Sequence, residues 1–199
     1  MTLLGAAQIR ELAAQLDLKP SKSLGQNFVI DSNVCTKIVR TAGVTSDDIA
    51  LEIGPGLGSL TLAMLEVAQS VIAVEIDSRL AQQLPITVAQ HFEHPENLTV
   101  INMDALAVNE LPVAPTVLVA NLPYNVSVPV LLHLLEKFPT LRTGVVMVQA
   151  EVADRLAAKP GGKEYGIPSV KAAWWADVKN VGTVSRSIFW PAPNVDSKL

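Results

Sequence analysis

Cysteine is nearly absent: Cys35 is the single thiol in 199 residues, which excludes an intramolecular disulfide and any cysteine-cluster metal site. That usage fits a reducing cytoplasm. Charge is scarce as well, at 17% against the roughly 25% of an ordinary globular chain. With 49% hydrophobic residues and a mean hydropathy of +0.34, the chain has material for a sizeable core, and intrinsic disorder is excluded. Long apolar runs are missing: none approaches the roughly 18 residues that a spanning helix requires. Arg10 and Glu11 interrupt what would be the apolar core of a secretory signal. Leu4, Ile9, Leu12 and Leu16 recur instead at helical spacing. Internal repeats and low-complexity tracts are lacking too, and the length allows one large domain or one domain plus a fragment.

The net charge of −4 argues at first against a polyanionic partner. Its distribution says more. Residues 41–150 hold three Lys/Arg against eleven Asp/Glu, whereas residues 1–40 hold five against three and residues 151–199 seven against five. An acidic centre between basic ends suggests a pocket that tolerates a cation, with polyanion contacts at the flanks.

From Ile49 onward, short Val/Ile/Leu runs alternate with amphipathic stretches. Strands are expected at Ile49–Ile53, Val71–Ile76, Leu98–Ile101, Thr116–Ala120 and Val145–Gln149. Helices fall between them: one after the glycine turn through about Ala68, one N-capped by Ser78 and broken or restarted at Pro85, and others near Val128–Lys137 and Glu151–Lys159. This order predicts an α/β fold with a mainly parallel sheet covered by helices on both faces. Lys159–Gly166 reads as a surface loop, followed by a helix at Ser169–Ala176 and an alternating strand near Val178–Val184. Trp174 and Trp175 are expected to pack that helix against the sheet, and Cys35 to lie buried in a helix over Ser32–Ala42. Pro191 and Pro193 stiffen a loop, and the closing VDSKL starts a strand. His91, His94 and His133 share no metal-ligand spacing.

Three strand ends carry chemistry. Glu52–Gly58 reads E-I-G-P-G-L-G at a strand-to-helix turn, where glycines let a ligand approach the backbone. The third glycine comes one residue earlier than in the dinucleotide fingerprint, with Ser59 in the expected place. A turn without ligand and a nicotinamide cofactor are the competing readings. Glu75 closes the next strand, 17 residues after Gly58, where a carboxylate can accept from vicinal ribose hydroxyls. Asp104 follows the third strand, where it could accept from an adenine amino group. Together these describe an adenosine-bearing cofactor at a topological switch point.

Asn121-Leu122-Pro123-Tyr124 follows the fourth strand. An exocyclic adenine nitrogen is a poor nucleophile because its lone pair is delocalised into the ring. The Asn121 amide oxygen and a backbone carbonyl near Leu122 could each accept one N–H, pulling that nitrogen toward tetrahedral geometry and aiming its lone pair at a methyl donor. Pro123 stiffens the turn and Tyr124 offers a ring to stack on the base. Such a device works by positioning and electrostatics, without a dedicated general base.

With these motifs in order, the sequence resembles the S-adenosylmethionine-dependent adenine-N6 methyltransferases, and more narrowly the small-subunit (16S) ribosomal RNA dimethyladenosine transferase family. The resemblance runs from Leu18 to the last residue. It rests on five blocks in register: Leu24–Asp31 (LGQNFVID), Leu51–Thr61 (LEIGPGLGSLT), Asn121–Ser127 (NLPYNVS), Val148–Leu156 (VQAEVADRL) and Phe189–Ser197 (FWPAPNVDS). It implies that Gln26, Asn27 and Val29 lie against the methionine part of the cofactor and that Gly54, Gly56 and Gly58 line it. Glu75 would bind the ribose, Asp104 the adenine amine, and Asn121 would border both cofactor and target base. Phe189 would stack on the flipped adenine opposite Tyr124. Two departures stand out: Ala150 where family members often carry Lys, and Val29 where they often carry Leu.

The implied fold is a Rossmann-like class I methyltransferase with a seven-stranded sheet of order 3-2-1-4-5-7-6, its last strand cut short. Residues 1–47 would form a helical segment covering the cofactor, and residues 48–199 the catalytic domain. The family's helical C-terminal domain would be absent. The implied activity is dimethylation of N6 on two adjacent adenosines in the 3′-terminal hairpin of 16S rRNA, within the immature 30S subunit. S-adenosylhomocysteine would be the product, no metal would be needed, and the protein would be a cytoplasmic monomer away from membranes. A large-subunit rRNA adenine N6-methyltransferase of the macrolide-resistance type, and a non-catalytic RNA-binding assembly factor, are the alternatives.

Overall fold

A computed structural model describes residues 2–21 and 25–199. Leu24, which opens the LGQNFVID block, lies outside the described residues. Nine strands are assigned among the described residues: β1 (Phe28–Val29), β2 (Ile49–Ile53), β3 (Ser70–Glu75), β4 (Leu98–Asn102), β5 (Val117–Asn121), β6 (Thr143–Gln149), β7 (Thr183–Val184), β8 (Phe189–Trp190) and β9 (Ser197–Lys198). Seven α-helices accompany them: α1 (Ala6–Gln15), α2 (Ser32–Thr41), α3 (Ser59–Leu65), α4 (Ser78–His91), α5 (Ser127–Lys137), α6 (Ala150–Leu156) and α7 (Ile167–Trp175). None of the described helices is long and apolar enough to cross a membrane.

The large sheet has the order β4-β3-β2-β5-β6-β9-β7. Counting only its strands in chain order, this is the expected 3-2-1-4-5-7-6. Neighbours from β4 through β6 pair in parallel, and β9 runs antiparallel to both β6 and β7. Successive strand residues point to opposite faces, and the apolar residues divide accordingly. Ala50, Val71, Ala73, Val117, Val119, Val145 and Met147 join a core with Ile9 and Leu12 of α1, Cys35 and Ile38 of α2, and buried residues of α3 and α4. Leu51, Ile53, Ile72, Val74, Leu118 and Ala120 join the other core, against α5, α6 and α7. Helices therefore cover both faces, because both faces of these strands are apolar.

A separate two-stranded ladder, β1 with β8, pairs Phe28 with Trp190 and Val29 with Phe189. It ties the QNF block to the FWPAP block, far apart in the chain. Because the sheet order reverses between β2 and β5, a crevice opens at the carboxyl ends of β2, β3, β4 and β5.

The helix and strand expectations hold in outline and fail in four places. The N-cap of α4 is Asp77, whose Oδ1 accepts from Arg79 N–H at 3.0 Å, so Ser78 is already the first helical residue. Pro85 sits inside α4 without ending it. It forfeits one intrahelical hydrogen bond, while buried Leu80, Leu84, Thr87 and Val88 hold the helix against the core on both sides of it. The strand expected at 178–184 is reduced to Thr183–Val184, which pair with Lys198 and Ser197, while Val181 and Gly182 are hydrogen-bonded to Leu199 just before it. Trp174 and Trp175 do not pack against the sheet: they are 81% and 47% exposed, and α7 instead presents Ser169 and Ala172 inward. Small residues on that face let α7 approach α5 and α6 closely.

Candidate active site

The crevice is lined by the chain entering and forming β1 (Gly25–Val29), by the β2–α3 turn, and by the ends of β3, β4 and β5. Its acidic lining residues are Glu52, Glu75 and Asp104, and among the described residues no Lys or Arg lines it. With Glu75 and Asp104 supplying carboxylates, the described lining favours a cationic ligand over one bearing phosphates.

Glycine makes the β2–α3 turn possible for two separate reasons. Gly56 has a φ of 58° and packs so closely on Phe28 of β1 that a Cβ would stand 2.9 Å from the ring, which must shift to admit it. Gly58 has a φ of 99° as the N-cap of α3, and its missing Cβ makes room for Leu84 of α4. Gly54 and Gly56 line the crevice, but Gly58 does not. Its role is to close the turn against α4.

Glu75 is buried at the end of β3. Its Oε2 accepts the Gly56 N–H at 3.1 Å and its Oε1 the Asp77 N–H at 2.9 Å. Burial pushes its pKa upward, and these backbone hydrogen bonds partly oppose that. A carboxylate has about four acceptor sites, so Glu75 retains capacity for two hydroxyl donors. Asp104, at the exit of β4, is exposed on the crevice rim and gives one oxygen to Leu106 N–H at 2.9 Å.

The segment before β1 is fastened at its glutamine. Gln26 donates Nε2–H to Asp77 Oδ2 at 3.1 Å and accepts from Ser21 N–H through Oε1 at 2.8 Å. Burial alone would raise the Asp77 pKa, but hydrogen bonds from Arg79 and Gln26 outweigh it and hold the carboxyl below its ordinary range. Val29 lines the crevice while its carbonyl accepts from Ser59 Oγ at 2.7 Å.

Asn121 is the last residue of β5. Its Nδ2 donates to the Asn27 carbonyl at 3.0 Å. A carbonyl can only accept, so this bond fixes which way the amide points. It leaves Oδ1 as an acceptor with no donor bound to it among the described residues, on a residue that lines the crevice. Leu122 is buried, and its N–H extends the β5–β6 ladder to the Met147 carbonyl at 3.1 Å. Pro123 lines the crevice. Tyr124 is half-buried and anchored through its hydroxyl to Ser197 Oγ of β9 at 2.7 Å, and burial raises its phenol pKa.

Most of the expected site residues converge here: Gln26, Asn27, Val29, Gly54, Gly56, Glu75, Asp104, Asn121 and Pro123 share one crevice. Leu122, Tyr124 and Phe189 are not among its lining residues. Phe189 lies farthest from that expectation. At 3% exposure it lies in the α1–α4 core beside Val29, and its neighbour Trp190 stacks on Phe28 with ring centroids 6.2 Å apart. Two residues escaped the sequence reading. Asp77 reads on paper as one more polar residue at a helix start. Glu52 was within the glycine block but carried no role of its own, although a lone acid in the apolar run IALEI is a signal of a special environment. Glu52 is 1% exposed, and its Oε2 accepts from Thr61 Oγ1 at 2.6 Å. Burial, with a smaller contribution from the nearby Glu75 charge, pushes its pKa up to about 8 despite that hydrogen bond.

Comparison with known proteins agrees with this geometry. The family model described as "Ribosomal RNA adenine dimethylase" matches residues 18–199. A relative from Leifsonia xyli subsp. xyli named "Ribosomal RNA small subunit methyltransferase A" is 63% identical over 200 residues, covering 100% of this chain and 71% of its own length. Among solved structures, a dimethyladenosine transferase from Plasmodium falciparum superposes with a TM-score of 0.76 at 33% identity, over 86% of this chain and 61% of that one. The 23S rRNA methyltransferase ErmE gives a TM-score of 0.70 at 30% identity, over 86% of this chain and 67% of its own. The fold, the acidic crevice and these matches agree: the chain belongs to the ribosomal RNA adenine dimethylase family.

Proposed function

We propose that this chain transfers methyl groups from S-adenosylmethionine to N6 of two adjacent adenosines in the 3′-terminal hairpin of 16S rRNA, within the immature 30S subunit. The observation that carries the reading is Asn121: a crevice-lining amide at the end of β5, its nitrogen held by Asn27 and its oxygen left open, in a pocket whose described ionisable lining is acidic. The residues fit the cofactor by their chemistry. Glu75 offers acceptors for ribose hydroxyls, Asp104 an acceptor for the adenine amine, and the carboxyl groups suit a cationic sulfonium. When bound, S-adenosylmethionine supplies an electrophilic methyl group. Gln26, Asn27 and Val29 border its methionine part, and Gly54 and Gly56 allow its close approach.

The protein's own work is to prepare the amine. Asn121 Oδ1 and the Leu122 carbonyl each accept one N–H, drawing the nitrogen lone pair out of conjugation and aiming it at the methyl donor. Pro123 limits movement of these acceptors, and Tyr124, anchored by Ser197, gives the flipped base a face to stack on. After the first transfer one N–H remains, so the same pocket can hold the monomethylated base. Phe189 would join the stack only by leaving its core position. Residues 1–47 act as a cover and residues 48–199 as the catalytic domain of a cytoplasmic monomer.

The test is methyl incorporation into immature 30S particles and into 23S rRNA. We expect 30S methylation by the wild type and a loss of about 10²–10³-fold in Asn121→Ala, with cofactor affinity retained within a few-fold. Methylation of 23S rRNA alone, or an Asn121→Ala variant equal to wild type, would overturn the proposal.

A further inference from the structure

One group beside the crevice has no part in the chemistry above. Asp77 lies two residues beyond Glu75 and does not line the crevice. It is nevertheless buried, and it joins three segments. Its Oδ1 caps α4 through Arg79 N–H at 3.0 Å, its backbone N–H reaches Glu75 Oε1 at 2.9 Å, and its Oδ2 receives the Gln26 amide at 3.1 Å. The hydrogen bonds thus form a continuous chain from Ser21 through Gln26, Asp77 and Glu75 to the backbone of Gly56. That chain links the segment before β1 to the β2–α3 turn.

We propose that Asp77 is a positioning residue for the cofactor: by holding Gln26 it fixes the segment leading into β1 over the crevice, in register with Glu75. Gln26 serves in this arrangement as a fastener. Both ends of its amide are committed to protein atoms, the nitrogen to Asp77 and the oxygen to Ser21. Its neighbours Asn27 and Val29 are then held where they border the ligand, and Asn27 in turn orients Asn121. Arg79 is the other side-chain partner of Asp77, at 3.0 Å and 3.3 Å, and its side chain is half-exposed. It balances the charge of Asp77 from the solvent side and leaves Gln26 as the link to the crevice. The proposal rests on the reading of the crevice as the S-adenosylmethionine site.

The substitution Asp77→Asn separates fastening from capping. The asparagine oxygen can still accept from Arg79 N–H, but its NH₂ then faces the Gln26 NH₂, donor against donor. If Gln26 turns over to accept, it surrenders its Ser21 bond. Calorimetric titration with S-adenosylmethionine should show about a tenfold weaker Kd for Asp77→Asn and for Gln26→Ala. The double variant should also be about tenfold weaker, because the two residues act as one unit. Asp77→Glu, which restores an acceptor, should return within about threefold of wild type. Methylation assays should show KM for the cofactor rising with kcat nearly unchanged. Affinities within twofold of wild type in both single variants, or single effects that multiply to about a hundredfold in the double variant, would overturn the proposal. Should Asp77→Asn lose its fold, Asp77→Ser, whose single oxygen can cap α4 but leaves none for Gln26, carries the same test. A wild-type protein that fails to bind S-adenosylmethionine would overturn the cofactor reading itself, a result distinct from normal binding that both variants share.

Discussion

Two buried carboxyl groups sit at opposite ends of β2 and meet very different surroundings. Asp48, just before the strand, accepts from Arg142 Nε and Nη2, Thr116 Oγ1, and both the N–H and hydroxyl of Thr45. Burial opposes its ionisation, but these donors outweigh it and hold its pKa well below the usual carboxylate range. Glu52, near the end of the strand, has one hydroxyl donor, no cation among its described partners, and a pKa pushed up to about 8. The same strand thus carries a carboxylate whose needs the protein meets and a carboxyl whose needs it leaves open toward the crevice. A group supplied with every donor serves the fold. Acceptors with capacity to spare, such as Glu75 and Asn121, are where a ligand's donors can add interactions the protein lacks.

Breaking the satisfied end should have the largest effect. Asp48→Ala strands Arg142, Thr116 and Thr45 and should lower stability by about 3 kcal/mol, at the low end for a buried pair because Arg142 is half-exposed. Chemical denaturation would measure this, and cofactor affinity should not change. The variant should also lose part of the wild-type acid sensitivity. A depressed folded pKa gives stability that is present above the unfolded pKa of 3.8 and is lost as pH falls below it.

The unsatisfied end should respond with the opposite sign. Glu52 has a folded pKa raised from 4.5 to about 8, so its contribution is fully present below about pH 4.5 and is lost as pH rises through 8. Glu52→Gln keeps the shape and an acceptor for Thr61. It should remove a decline on the order of 2 kcal/mol between pH 5 and pH 8, read as unfolding free energies across that range. An unchanged pH dependence would mean that Glu52 is ionised in the folded protein, and the contrast with Asp48 would fail.

Much of this was legible in the sequence because it follows from local pattern. Apolar runs such as VIAVEI and TVLVA mark strands buried on both faces, and the acids that close them fall at the crevice by topology alone. Apart from the α4 cap, where Asp77 stands one residue before Ser78, the misreadings have a different cause: each depended on packing that local pattern does not show. Pro85 stays helical because core residues on both sides of it hold α4 in place. Trp174 and Trp175 face outward because the inner face of α7 is taken by Ser169 and Ala172. Phe189 is drawn into the core by pairing with β1, some 160 residues away. Asp77 and Glu52 acquire their character from Gln26 and Thr61, partners that a strand-end motif does not reveal.

The central claim is that the acidic crevice receives a cationic adenosyl cofactor through the strand-end carboxylate Glu75. Calorimetric titration of S-adenosylmethionine into the wild type and into Glu75→Ala, with NADH as the competing ligand, tests it most directly. We predict one-site binding of S-adenosylmethionine to the wild type, weakened by tenfold or more in Glu75→Ala, and no binding of NADH. Binding of NADH without S-adenosylmethionine, or equal S-adenosylmethionine affinity in both proteins, would contradict it.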